Sequence, residues 1–123
     1  MKHLETFQAS AEFLGKDPLA LPGVELLPEA EGKAVIAFYK LSVISEASWK
    51  KEKKKIDWTN SRQYKYYGWF DFSSGSASGF SYGDYACDLS FSGVGSRLVF
   101  PSRDIARYVG ETHLELYKDL MLK

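Results

Sequence analysis

The chain has 123 residues, 45% of them hydrophobic and 26% charged, with sixteen Lys and Arg balancing sixteen Asp and Glu. That length suits one domain able to bury roughly two thirds of its unfolded surface, and it leaves no room for a second independent core. The even balance argues against a molecule whose whole surface attracts polyanions, and the lack of any run of ~20 apolar residues argues against a membrane-spanning helix.

The opening MKHLETFQASAEFLG carries Glu5 and Glu12 and no long apolar run, so it does not read as a secretory leader. Leu4, Phe7, Ala11 and Leu14 recur at helical spacing, and Gly15 follows where a helix would stop, which predicts a helix at about 4–14. The next stretch carries Pro18, Pro22, Gly23 and Pro28 among five large aliphatics. An irregular segment so apolar is expected to lie on the core.

The strongest helix signal covers about 30–49. Glu29 and Glu31 load its first turn with negative charge, as the helix dipole favours. Ala34, Ala37, Phe38, Leu41 and Ile44 form one apolar stripe, and Val35, Tyr39 and Val43 form another beside it. A helix striped so broadly is expected to be covered on more than one side. The lysine-rich run Lys50–Lys55 ends it, placing cations where a helix C-terminus favours them.

Beyond Asn60 the period changes to two. In RQYKYYGWFDF, residues 62–72, Tyr64, Tyr66, Phe70 and Phe72 alternate with Lys65, Tyr67, Trp69 and Asp71, which is a strand signature. Short apolar runs broken at Gly83, around Asp88 and at Gly93–Gly95 lead to SRLVF, residues 96–100. These predict an antiparallel meander of three to four strands over about 62–100. Ser102 then reads as an N-cap, and Ile105, Val109, Leu116 and Leu120 mark an apolar face for a last helix at about 102–121. The expected fold is therefore a single α+β domain, 1–123, with helices packed on the meander.

Chemistry is sparse in this sequence. Cys87 is the one cysteine, so an internal disulfide and a zinc cluster are both ruled out, and a reduced, cytoplasmic setting is the simplest expectation. Nothing frames Cys87 as a nucleophile, and His113 reads as a helix-surface or core-edge residue. GSASG is not a nucleophile elbow, and GVGSRL lacks the third glycine of a dinucleotide fingerprint and precedes a strand. No catalytic residue, metal ligand or cofactor is expected, and the protein is not expected to be an enzyme.

One stretch stands above this background. Residues 50–65 hold seven basic side chains against two acidic ones, between flanks that are both net acidic. From Trp49 to Phe72, Lys53, Lys54, Lys55, Arg62 and Lys65 interleave with Trp58, Tyr67 and Trp69. Cations that follow phosphates and rings that stack on bases are how single strands of nucleic acid are held. The ordinary alternative is a solubilising helix end followed by a strand whose rings are core. A third reading makes Tyr67, Trp69 and Tyr82 a flat aromatic sheet face for a sugar or a protein partner, the latter a second copy of the chain or another protein.

The strings AVIAFYKLSVISEA (34–47), YKYYGWF (64–70), SGFSY (78–82), VGSRLVF (94–100) and YVGETHLELYKDL (108–120) together resemble a group of small bacterial proteins from prophage or mobile-element regions. The likeness covers roughly residues 34–121, and Gly68 departs from the Pro of that pattern. It implies a phage or mobile-DNA context and carries no assigned activity. The leading expectation is thus a non-enzymatic accessory or interaction domain using its aromatic sheet face, with no membrane partner. The alternative is a sequence-tolerant single-strand binder using residues 49–72.

Overall fold

A computed structural model describes residues 1–60, 62–71, 81–88 and 98–122, with the backbone alone for Trp69, Asp71 and 81–88. The order is a 3-10 turn at Lys2–Leu4, α1 at Phe7–Phe13, α2 at Glu29–Lys51, β1 at Lys65–Asp71, β2 at Ser81–Asp88, α3 at Arg103–Thr112 and α4 at Leu114–Met121.

Each helix end has a local cause. Thr6 caps α1, its hydroxyl accepting from the Ala9 N–H at 3.0 Å. Gly15, at φ 74°, closes the other end, with Gly15 N–H donating to Glu12 O and Lys16 N–H to Ala11 O. That hydrogen-bond pair is the Schellman closure, which needs a left-handed residue after the helix. In α2, Ala34, Ala37, Leu41, Ile44 and Ala47 are buried along one stripe, with Ser45 and Trp49 buried on one side of it and Val43 on the other. α1 with the 3-10 turn packs on one flank of α2 and α4 on another. The core runs from Leu4 through Leu41 and Ile44 to Phe70, Phe100, Val109 and Tyr117.

The sheet differs from the expected three- to four-stranded meander over 62–100. Among the described residues it is a two-stranded antiparallel hairpin in a mostly helical molecule. Of SRLVF, Leu98 and Val99 lie in no ladder, and Phe100 makes a single bridge to Tyr66. Their apolar character reflects burial: all three sit in the core. Val99 O accepts two buried donors from α2, Ser45 Oγ at 2.6 Å and Trp49 Nε1 at 2.9 Å. The segment is therefore fastened to a helix. Nor does Gly83 break β2. The register passes from Trp69↔Asp84 to Phe70↔Tyr82, which leaves Gly83 as the extra residue of a β-bulge. The DLSFSG run, beyond Asp88, lies outside the described residues.

Three further expectations are corrected. The helix foreseen at 102–121 divides at His113, whose backbone (φ −111°, ψ 34°) ends α3 and starts α4. His113 is buried at the edge of the core, with Nε2 2.7 Å from Leu4 O, so it is not a helix-surface group. The break and the tie to the N-terminal turn thus fall on the same residue. The proline-rich connector does not bury its aliphatics: Leu19, Leu21, Leu26 and Leu27 are exposed, Leu26 at 98%. It is pinned instead by Val24 against Gly32, where an added Cβ would lie 3.2 Å from Val24 Cγ2.

Candidate functional site

The last turns of α2 repeat polar and aromatic residues three and four apart: Ser42, Ser45, Glu46, Trp49, Lys50, and then Lys53 just past the end. Such spacing puts them on one helix face. They line a cleft of about 570 Å³, closed on its other side by Lys54, Lys55, Ile56 and Trp58. A volume of that size is in the range of ligand-binding clefts.

The helix wall of the cleft is rigid. Ser42 Oγ donates to Tyr39 O at 2.7 Å, and Ser45 and Trp49 are held by Val99 O. Trp49 is only 4% exposed. The loop wall is built as firmly. Asp57 accepts from the Thr59 hydroxyl at 2.6 Å and from the Thr59 N–H at 3.0 Å, and the hydroxyl bond holds the carboxyl below its usual range. Gln63 clamps the loop, donating from Nε2 to Lys55 O and accepting from Asp57 N–H, both at 2.8 Å. Behind it Lys65 is 0% exposed. Its ammonium donates to Gln63 O at 3.1 Å and stands 5.5 Å from the centre of the Trp58 ring. The fixed cation positions the half-buried indole that walls the cleft.

The backbone at the rim is unusual. α2 ends as α1 does, with Lys53 N–H donating to Lys50 O and Lys54 N–H to Trp49 O. The left-handed residue here is Lys53, at φ 57°. A lysine in that conformation costs about 1 kcal/mol relative to glycine. Such strain persists where surroundings impose it, and it often marks a working site.

Of the residues singled out in the sequence, Lys53, Lys54 and Lys55 meet in the cleft, exposed. Arg62 is exposed but does not line it. Lys65 is a correction: it is a buried support for Trp58 and not a surface cation, because its ammonium is taken up by Gln63 O and the Trp58 ring. Tyr67 is half-buried, paired with Ala86. Trp69 and Tyr82 take up hairpin positions opposite Asp84 and Phe70, and their side chains lie outside the described residues. Sequence reasoning missed Ser42, Ser45, Glu46 and Ile56. The spacing of 42, 45, 46, 49 and 50 could have found the first three.

Among the described residues, those lining the cleft include no His or Cys, and Glu46 is the one carboxylate. Among the described residues no group of three or more His, Cys, Asp or Glu is placed to hold a metal ion, and no helix is long and apolar enough to cross a membrane. No protein-family model, curated protein or solved structure matches the chain.

Proposed function

We propose that this protein is a non-enzymatic binding domain for single-stranded nucleic acid, acting through the cleft at the C-terminal end of α2. One observation carries the reading: Lys50, Lys53, Lys54 and Lys55 converge on the same cleft as Trp58 and Ile56. Four cations can follow a phosphate backbone while a base lies against the indole and the aliphatic wall. The strained backbone of Lys53 supports the same reading, since a glycine there would relieve the strain and lose a cation. A phage or mobile-DNA setting would suit such a role. The aromatic sheet face has less support, since Tyr67 is half-buried.

Titration of a fluorescent oligonucleotide against the protein tests the proposal. Binding should weaken as salt rises, with a log–log slope of at most about −3 for four phosphate contacts. Replacing Lys54 and Lys55 by Gln should lower that slope by roughly one unit. An affinity independent of salt, or no binding at ~50 mM salt, would refute it.

A further inference from the structure

The polar groups of the cleft differ in what they have left to offer a ligand. On the helix wall the neutral donors are spent, the Ser42 and Ser45 hydroxyl protons and the Trp49 indole N–H all being committed to backbone carbonyls, and Lys50 is the cation of that face. Beside Lys50, that wall offers a ligand acceptors, the Ser42 lone pairs and the exposed Glu46 carboxylate. The opposite rim presents lysines, which only donate. A ligand that satisfies both walls has anionic groups at one end, N–H donors at the other and a flat body between them.

Among the bases of nucleic acid, guanine matches this best. Its N1–H and N2 amino group lie side by side and can donate to both oxygens of one carboxylate. Adenine and cytosine offer a single amino group, and thymine and uracil an N–H between two acceptors that would face the carboxylate. Glu46 is free to take that role. Its present partner, Lys16, stands 3.9 Å away with both side chains well exposed, and such a pair contributes little and exchanges readily. We infer that Glu46 is a specificity-determining residue that makes the cleft prefer a guanine nucleotide. The inference rests on the nucleic-acid reading above and adds base selection to it.

The test is fluorescence anisotropy with the full chain and labelled thymidine strands of about eight nucleotides. One strand is all thymidine, one carries a central guanine, and one carries hypoxanthine, which lacks the N2 amino group. The guanine strand should bind about tenfold tighter than the thymidine strand, with hypoxanthine between them. Glu46→Gln should remove the preference and, by taking a negative charge out of the cleft, strengthen binding of the thymidine strand. Lys16→Met, which frees Glu46, should strengthen the preference and shows that it is not a general effect of charge loss. Equal affinity for all three strands, or a preference that survives Glu46→Gln, overturns the inference and leaves the nucleic-acid reading standing. Failure of every strand to bind overturns both. Unlabelled guanosine monophosphate separates the two sources of the ligand. Displacement at equal concentration assigns the site to the free nucleotide, and displacement only at ~100-fold excess assigns it to a strand, where further phosphates engage the lysines. Either result keeps the guanine assignment, and no displacement at any excess overturns it.

Discussion

Two helix ends in this molecule are closed by the same hydrogen-bond pair and differ in one residue. α1 ends on Gly15 at φ 74° and α2 on Lys53 at φ 57°. They also meet: Lys50 and Lys51 place their ammonium groups 5.8 and 5.9 Å from the ring centre of Phe13, the last residue of α1. Gly15 has open space around the position of its missing Cβ, so glycine there serves the backbone and nothing else. At α2 the same backbone demand is met by a lysine whose side chain borders a cleft. The comparison separates an end built for stability from one where stability is given up for a charge.

The largest expected effect removes what holds the α2 end in place. Trp49→Ala should destabilise the protein by about 3–5 kcal/mol in urea unfolding, since it empties a buried ring site and breaks the tie to Val99 O. A loss under about 1 kcal/mol would mean that the α2 end does not depend on this anchor. Next, Gly15→Lys should cost about 1–2 kcal/mol, because it imposes on α1 the strain that α2 already carries. Lys53→Gly is the mirror experiment. It should stabilise by roughly 1 kcal/mol, raising Tm by about 4 °C, while weakening oligonucleotide binding. Unchanged stability in both glycine exchanges would remove strain from the account of either end.

The smallest effect is one of pH. His3 packs against Phe13 with ring centroids 5.3 Å apart, and burial together with the Lys51 charge lowers its pKa from 6.5. Burial also lowers that of His113. Both groups stay neutral in the fold at a pH where the unfolded chain already binds protons. Stability is therefore full above about pH 6.5 and declines as pH falls through that value toward the folded pKa values. His113→Gln should flatten the decline seen by thermal melts between neutral and mildly acid pH, and an unaltered slope would clear His113 of the effect.

Much of the helical part was legible because burial and period agree there: Ala34, Ala37, Leu41 and Ile44 are both periodic and buried. The sheet was less legible because alternation reports burial and not pairing. Val99 and Phe100 read as a strand, yet Val99 spends its carbonyl on Ser45 and Trp49. At the candidate site the lysine run was visible as composition, and its convergence with Trp58 on one cleft was not. Lys65 misled for a tertiary reason. Its neighbours in sequence mark it as an exposed strand cation, and only the contacts of its ammonium with Gln63 O and the Trp58 ring show it to be buried. The division of the last helix was hidden too, since it falls on a residue tied to Leu4, 109 residues away from His113.

That distance has a consequence for synthesis of the chain. At about 5–20 residues per second, His113 leaves the ribosome on the order of ten seconds after Leu4. Through that interval the N-terminal turn and α1 have no ring to donate to the Leu4 carbonyl, and Leu4 and Phe7 lack most of the core they later join. The segment from α3 to α4 thus acts as the fastener for α1, and nascent chains halted before α3 should be cut by protease within α1 while chains that include α4 resist.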